Sequence, residues 1–322
     1  MKHIYITRTI KDEGISLLKK GGFHVDVSGK KRPLRKAELI SIFRKKRYDG
    51  VITLLTDTID KDVIDAMDTV SVIANMAVGF NNIDIDYARS KGILVCNVPA
   101  SAGTEVAEHT IALMFAVSSK IVWGDSFVRK GSFVGWDPML LKGPSLYGKK
   151  LGILGMGNIG QSVALFCHDG LGMDVLYYDI QRNLKAERDT GAVYASSIEK
   201  VLAQSDVVSV HVPLNRYTHH LLTKKRLLMM KPDAILVNTA RGAVIDEKAL
   251  VEVLSKKQIA GAGLDVFEYE PQLTAGLSKL QNVVLSPHIA SATAENRSMM
   301  AAVSAQNIID GIEQGTSKNK VN

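Results

Sequence analysis

The sequence predicts an α/β protein with doubly wound parallel sheets, in which helices cover both faces of each sheet. Along its first hundred residues, short runs rich in β-branched residues alternate with amphipathic segments of helical period. A second alternating series begins at residue 150, after an irregular stretch that contains Gly and Pro. At 322 residues, the chain is long enough to form two hydrophobic cores. We therefore expect two α/β domains.

The predicted strands and two long helices follow from these patterns. The helix predicted over 104–128 opens with Thr104 as a capping residue, and the tail predicts one amphipathic helix over 293–315. Predicted strands fall at 3–8, 23–27, 50–55, 71–78, 93–98, 150–155, 174–179, 192–195, 206–212, 234–240, 261–266 and 283–288.

The composition indicates a globular protein, with 46% hydrophobic and 23% charged residues. The cysteines Cys96 and Cys167 show no ligand spacing, so neither a disulfide nor a metal site is expected. No apolar run approaches the roughly 20 residues of a membrane span. We expect a soluble, cytoplasmic protein that has no membrane partner.

The net charge of +7 raises the question of nucleic-acid binding, because basic residues gather at 30–36 and 44–47. They interleave with apolar residues at helical spacing, which favours the solvated face of an amphipathic helix. Stacking aromatic residues, which single-strand binders use, do not accompany them. We expect no nucleic-acid partner, and the positive field instead favours a small anionic substrate.

A glycine turn predicts a dinucleotide site. The pattern Gly155-x-Gly157-x-x-Gly160 follows a predicted strand and precedes a helix. Such glycines let backbone amides approach a pyrophosphate, with Asn158 and Ile159 opening the helix. Asp179 ends the next strand about twenty residues on, where a carboxylate binds the ribose hydroxyls. Its charge favours NAD, although Arg182 leaves NADP use open.

Three strand ends supply the groups that reduction of a 2-oxo acid requires. Arg241 offers a cation for the substrate, Glu268 or Glu270 a carboxylate partner, and His288 a proton donor. They lie in the segments 238–242, 265–271 and 286–291. Taken singly, these residues could be a carbonyl cap, an exposed turn and a loop histidine. Their order after a dinucleotide turn favours an NAD-dependent dehydrogenase of 2-hydroxy acids.

Over nearly its whole length the chain resembles the D-isomer-specific 2-hydroxyacid dehydrogenase family. The similar segments are 74–84, 104–114, the stretch starting at Gly135, 211–222 and 238–246. Within the family, LLTD (54–57) and GWDPMLL (135–141) are most similar to glyoxylate/hydroxypyruvate reductases and D-glycerate dehydrogenases. D-lactate and phosphoglycerate-type dehydrogenases stay open as alternatives. So does a binding protein similar to the family's NAD-sensing corepressors.

The resemblance implies specific residue roles. Arg241 holds the substrate carboxylate and carbonyl, and His288 exchanges the hydroxyl proton while paired with Glu270, which is preferred over Glu268. Backbone amides at Val78 and Gly79 cradle the substrate carboxylate. Asp265 contacts the nicotinamide carboxamide. The remaining residues that line the cofactor, besides Arg241 and His288, are Thr104, Pro213, Thr218 and Thr239.

The resemblance also implies a domain layout. A flavodoxin-like substrate domain comprises 1–99 and 290–322, a Rossmann-type NAD-binding domain comprises the inserted 100–289, and the substrate occupies the cleft between them. The helix at 104–120 and the arm at 135–141 resemble the family's dimer contact, so a homodimer is expected. Two segments depart from the family's pattern. Ala290 stands where glycine is common, and the turn 98–103 matches no substrate preference.

Overall fold

The computed structural model describes residues 1–99 and 103–322 of the chain. The chain divides into two compact units, one comprising residues 1–100 and 292–322 and the other residues 101–291. Each unit contains a single parallel β-sheet with its own hydrophobic clusters. The predicted α/β class with two doubly wound parallel sheets is confirmed.

The first unit has a five-stranded sheet in the order β2-β1-β3-β4-β5. Every pairing is parallel, and strands β3 to β5 are buried throughout, as strands covered by helices on both faces should be. The strands are β1 (His3–Ile6), β2 (His24–Val27), β3 (Gly50–Thr53), β4 (Val72–Asn75) and β5 (Leu94–Cys96). Its helices are α1 (Asp12–Lys20), α2 (Lys36–Lys45), α3 (Lys61–Asp65), α4 (Ile85–Ser90) and the returning α12 (Ala294–Gln314).

The second unit has a seven-stranded parallel sheet in the order β12-β11-β10-β9-β6-β7-β8. The order reverses at β6, so the crevice at the carboxyl ends of β6 and β9 is the expected ligand position. The strands are β6 (Lys150–Leu154), β7 (Asp174–Tyr178), β8 (Val193–Tyr194), β9 (Val207–Val210), β10 (Ile235–Asn238), β11 (Gly261–Leu264) and β12 (Val283–Leu285). Its helices are α5 (Thr104–Ser118), α6 (Ile121–Arg129), α7 (Asn158–Leu171), α8 (Leu184–Thr190), α9 (Ile198–Gln204), α10 (Lys224–Leu227) and α11 (Glu247–Ser255).

The single helix predicted over 104–128 is wrong, because the structure has two helices there. α5 ends at Ser118, and Lys120 adopts a left-handed conformation with φ of 55° before α6 begins. The ammonium of Lys120 lies 4.7 Å from the centre of the Trp123 ring, a cation–π contact made across the break. Thr104 is also not the cap, since it is the first helical residue and Gly103 precedes it.

The basic segment forms a shorter helix than its periodicity suggested, because α2 begins only at Lys36. Lys30 and Arg32, before the helix, lie 2.8 Å from the carboxylate of Glu38. The predicted tail helix is confirmed, with the Thr293 side chain accepting a hydrogen bond from the Asn296 amide at its start.

Among the described residues, no single helix has the length and apolar character needed to cross a membrane. Only α5 and α6 taken together reach that length and composition, and they are bent by 61° relative to each other.

Candidate active site

The glycine turn joins β6 to α7 at the point where the strand order reverses. Gly155 has a φ of 98°, and a Cβ there would lie 2.8 Å from the backbone of His211 on the neighbouring chain segment. At Gly160 a Cβ would lie 2.2 Å from the carbonyl oxygen of Gly155. Both positions therefore require glycine for packing, since any side chain would clash with backbone atoms.

Gly157 has a different environment, because a Cβ placed there meets no atom of the described residues within 4 Å. Gly157 and Asn158 are exposed where α7 begins, and the first turn of a helix leaves N–H groups without intrahelical acceptors. Open space beside a helix N-terminus fits the pyrophosphate of a dinucleotide. The residues present thus suit the cofactor that the sequence predicts.

Asp179 follows β7 directly and its carboxylate is held against the turn. Oδ2 accepts a 2.7 Å hydrogen bond from the amide of Met156, and Oδ1 accepts one of 2.7 Å from the amide of Ile180. The carboxylate is therefore fixed at the end of the strand next to β6. This is where a ribose-binding acid is placed in dinucleotide folds.

The guanidinium of Arg182 forms an ion pair with the carboxylate of Glu187. Its Nε and Nη2 donate to the two carboxylate oxygens of Glu187 at 2.7 and 2.8 Å, a two-point pairing. Tyr177 also donates to Glu187, at 2.8 Å. The hydrogen bonds to Glu187 raise the pKa of Arg182. The hydrogen bonds donated by Arg182 and Tyr177 lower the pKa of Glu187. Sequence reasoning did not identify Glu187.

Arg241 lies in the turn after β10, and the side-chain amide group of Asn238 holds that turn in place. The Asn238 side chain donates to the carbonyl of Arg241 at 2.9 Å and accepts from the amide of Ala240 at 3.0 Å. Nη1 of Arg241 donates to the Ala240 carbonyl at 2.7 Å. Burial lowers the pKa of the Arg241 guanidinium, while the charge of Glu270 acts in the opposite direction.

Gly242 brings the Arg241 turn against the turn that carries Glu270. A Cβ at Gly242 would lie 1.9 Å from the carbonyl carbon of Phe267, a separation that no side chain could occupy. The amide of Phe267 in turn donates to Oε1 of Glu270 at 3.0 Å. The close approach at Gly242 is the physical reason why these two strand ends meet.

Glu270 and His288 form a hydrogen-bonded pair. Oε2 of Glu270 lies 2.9 Å from Nδ1 of His288, and both side chains are partly exposed. Burial acts to raise the pKa of Glu270, but the hydrogen bond and charge of His288, with that of Arg241, hold it below its ordinary value. An ionised carboxylate only accepts, so Nδ1 carries a hydrogen and Nε2 is the nitrogen available to exchange a proton.

Glu268 has a separate partner, which supports the choice of Glu270. Its Oε1 lies 2.8 Å from Nε2 of His220, and its Oε2 accepts from the amide of Glu247 at 3.2 Å. The amide of Glu268 donates back to Glu247 at 2.9 Å. His220 and Glu247 were not predicted from the sequence, because the contacts that they make span more than twenty residues.

Other predicted cofactor residues lie on neighbouring segments of the second unit. Thr218 donates to the carbonyl of Pro213 at 2.6 Å, which closes the loop after β9. The hydroxyl groups of Thr239 and Thr110 lie 2.9 Å apart. Thr104 begins α5 next to Gly103, where a Cβ would lie 2.7 Å from the side chain of Ile159.

Asp265 is fully buried at the end of β11, and its carboxylate is surrounded by hydrogen-bond donors. Ser286 donates to Oδ1 at 2.6 Å, Ile289 donates to Oδ1 at 2.9 Å, and Ala290 donates to Oδ2 at 2.8 Å. These donors all come from the loop that carries His288. The predicted contact of Asp265 with the nicotinamide carboxamide stays a prediction.

In the first unit, Val78 and Gly79 follow β4, in a loop held by two asparagine amides. Asn75 donates to the carbonyl of Gly79 at 2.9 Å, and Asn82 donates to the carbonyl of Asp57 at 2.9 Å. Among residues 1–99 and 103–322, the amides of Val78 and Gly79 donate to no acceptor. Neither asparagine was predicted, because the sequence does not show which carbonyl groups their side chains reach.

The LLTD segment lies after β3. The carboxylate of Asp57 is buried and accepts from the hydroxyl of Thr7 and from the amide of Leu54, at 2.5 and 2.8 Å. Burial raises the pKa of Asp57 despite these bonds. The turn 98–103, which matches no known substrate preference, includes residues 100–102 and so lies partly outside the described residues.

Comparisons with known proteins identify the family of this chain. Residues 111–290 match the model of the D-isomer specific 2-hydroxyacid dehydrogenase, NAD binding domain. A glyoxylate reductase of Thermococcus litoralis is 43% identical over 310 residues, which cover 95% of this chain and 92% of that protein.

Two solved structures extend the comparison to the fold. A Thermus thermophilus protein superposes with a TM-score of 0.90 at 38% identity, covering 99% of this chain and 100% of that one. A glyoxylate reductase of Paecilomyes thermophila superposes with a TM-score of 0.87 at 31% identity, covering 99% of this chain and 98% of that one. The chain therefore belongs to the D-isomer-specific 2-hydroxyacid dehydrogenase family, as an NAD-dependent oxidoreductase that acts on CH–OH groups.

Proposed function

We propose that this chain reduces glyoxylate to glycolate, and hydroxypyruvate to D-glycerate, with NADH. The observation that carries the proposal is the Glu270–His288 pair, which lies in the same unit as the glycine turn and beside the Arg241 turn. Relatives named glyoxylate reductase, at 42 and 43% identity over 95% of the chain, point to the same substrate class. Reduction and oxidation use the same groups in opposite order.

The chain's own residues perform the binding and proton-transfer steps. Arg241 binds the substrate carboxylate and the carbonyl oxygen, and its positive charge stabilises the negative charge that develops on that oxygen. His288 donates the proton on Nε2 to the oxygen, while Glu270 holds Nδ1 and stabilises the protonated ring. The glycine turn and Asp179 would hold NADH, which would provide the hydride for C2 of the substrate.

The first unit has a group of its own that suits an anion. We assign the amides of Val78 and Gly79 to binding the substrate carboxylate, since two adjacent N–H groups that donate to no acceptor in the described part of the chain form a small anion site. Asn75 and Asn82 keep that loop in one conformation. A fixed loop lowers the entropy lost when the substrate binds.

NADH is the preferred cofactor in this proposal. Asp179 is fixed at the end of β7, where its charge repels a 2′-phosphate. Arg182 would have to leave its two-point pairing with Glu187 to contact that phosphate. The cost of breaking this pairing opposes NADPH, although it does not exclude it.

The direct test is an assay of the purified chain with NADH and a panel of 2-oxo acids of increasing size. We expect the highest kcat/KM with glyoxylate or hydroxypyruvate. Preference for pyruvate or a phosphorylated acid would instead place the chain with the D-lactate or phosphoglycerate type. Binding of NADH without turnover of any member would favour a corepressor-like role and would overturn the proposal.

We also propose that two copies associate through the helix at 104–120 and the arm at 135–141, together with α6, which follows α5 in the chain. Trp136 of the arm is 85% exposed, and Val134, which precedes the arm, is 98% exposed. Ile121 and Val128 add further apolar area on α6, where no residue is buried. Exposed apolar groups gathered in one part of a chain mark an association surface. A cytoplasmic location and the expected lack of nucleic-acid or membrane partners stay predictions.

A further inference from the structure

The loop that carries His288 is folded around one buried carboxylate. Asp265 accepts hydrogen bonds from the hydroxyl of Ser286 and from the amides of Ile289 and Ala290. The amide of His288 donates to the carbonyl of the same aspartate at 2.8 Å. Four donors from five consecutive residues thus converge on Asp265, which fixes the backbone on both sides of His288.

These bonds hold His288 in a conformation that it would not adopt alone. Its φ is 54°, in the left-handed region that residues with a Cβ disfavour. Such a backbone persists only where its surroundings impose it. The position of the His288 ring therefore depends on how completely Asp265 and Ser286 are engaged.

His109 is the group that completes this network from another element. It lies on α5, and its Nε2 is 2.9 Å from Oγ of Ser286 and 3.4 Å from Oδ1 of Asp265. The hydroxyl hydrogen of Ser286 points to Asp265, because an ionised carboxylate can only accept. Oγ of Ser286 must then accept from His109, so Nε2 of His109 carries a hydrogen.

The electrostatics of Asp265 agree with this direction of the hydrogen bonds. Burial acts to raise the pKa of Asp265, but donation from His109, Ser286 and the loop amides outweighs it, so the pKa lies below its ordinary value. A fully buried carboxylate without those donors would be costly to keep ionised. His109 is thus part of what keeps Asp265 charged and the loop bound to it.

We propose that His109 is a positioning residue, which holds the His288 ring in place through Ser286 and Asp265. It takes no part in proton transfer itself, and its effect rests on the proposed role of His288 in 2-oxo acid reduction. Helix α5 thereby contacts two strand ends of the site. His109 reaches the segment of His288, and Thr110, the next residue, reaches Thr239 in the segment of Arg241.

The test uses His109→Ala, Ser286→Ala, the double variant and the conservative His109→Gln, assayed in the full chain with NADH and glyoxylate. We expect kcat to fall about tenfold to a hundredfold in each alanine variant, because small misplacements of a reacting group are that costly. The NADH dissociation constant should stay within about twofold of wild type, as expected when only kcat depends on the contact. His109→Gln should restore most of kcat, since its amide can donate to Ser286.

The double variant separates a shared network from two unrelated effects. If His109 acts through Ser286, the double variant should be hardly slower than either single one, because residues in one network are not additive. His168→Ala, an exposed histidine near the end of α7, is the matched control and should keep wild-type kcat.

Either of two results would overturn the proposal while the wild type stays active: full kcat in His109→Ala, or equal loss in the alanine and glutamine variants. If His109→Ala does not fold, the glutamine variant and Ser286→Ala still decide the question. An inactive wild-type chain would instead refute the proposed function, which keeps the two failures distinct.

Discussion

Nδ1 of His288 lies 2.9 Å from Oε2 of Glu270. The turn that carries Glu270 packs through the backbone of Phe267 against Gly242, the residue after Arg241. The proposed proton donor and its carboxylate partner are therefore joined by their side chains, and the segment of the proposed substrate-binding cation meets the Glu270 turn through its backbone. The arrangement makes the effects of several substitutions predictable.

Glu270→Gln should lower kcat for glyoxylate reduction while changing NADH binding little. Glutamine can still accept from Nδ1 of His288 through its oxygen, but it removes the negative charge that stabilises the protonated ring. We expect kcat to fall about tenfold or more, since a positioned acid–base group contributes about a hundredfold to ten-thousandfold. Steady-state kinetics and fluorescence titration of NADH check this. Glu268→Gln, which loses its charge beside His220 instead, should keep the wild-type kcat.

Gly242→Ala should destabilise the second unit and reduce activity together. The added methyl group would overlap the backbone of Phe267, and such overpacking costs about 1–3 kcal/mol of unfolding free energy. Urea unfolding and kcat are the measurements. Gly170→Ala is the control, because a Cβ there meets no atom within 4 Å and it lies in α7, where alanine favours the helix. A Gly242→Ala variant with wild-type stability would contradict the close approach.

Asp179→Ala should lower kcat/KM with NADH and reduce the preference for NADH over NADPH. The wild-type chain is expected to have the higher kcat/KM with NADH, and the variant should lose about tenfold or more of that preference, since a repelling charge is removed. Glu187→Gln should act in the same direction by releasing Arg182 from its two-point pairing. Kinetics with both cofactors decide the matter. A wild-type preference for NADPH would overturn this account.

Trp136→Asp should shift the chain from dimer to monomer. The side chain is 85% exposed in the single chain, and a charge there would oppose burial against a second copy. Light scattering coupled to size exclusion gives the mass in solution. Val193→Asp, an exposed apolar residue on the edge strand β8, is the control and should stay dimeric. A monomeric wild type would rule out the association surface.

Local patterns made most of the fold predictable. The twelve strands of residues 1–99 and 103–322 were all expected from their β-branched runs. Gly155 and Asp179 stood out because their spacing reflects one strand–turn–helix unit. Lys120 was not expected to break a helix, because a left-handed residue there follows from contacts rather than from propensity.

The side-chain networks behind the site were harder to predict. His109 and Ser286 are 177 positions apart, and no local pattern joins them. The available signal was the histidine itself, a titratable residue near the start of α5. The sequence shows a glycine at 242, but not why the position excludes a side chain. The backbone of Phe267 that packs against Gly242 is evident only from the structure.

The most direct measurement of the central claim compares wild type with His288→Ala in two assays, turnover of glyoxylate with NADH and binding of NADH by fluorescence titration. We predict that the variant loses about a hundredfold to ten-thousandfold in kcat, the usual contribution of a positioned acid–base group, while its NADH dissociation constant changes little. Turnover near the wild-type rate in His288→Ala would contradict the assignment of His288 as the proton donor.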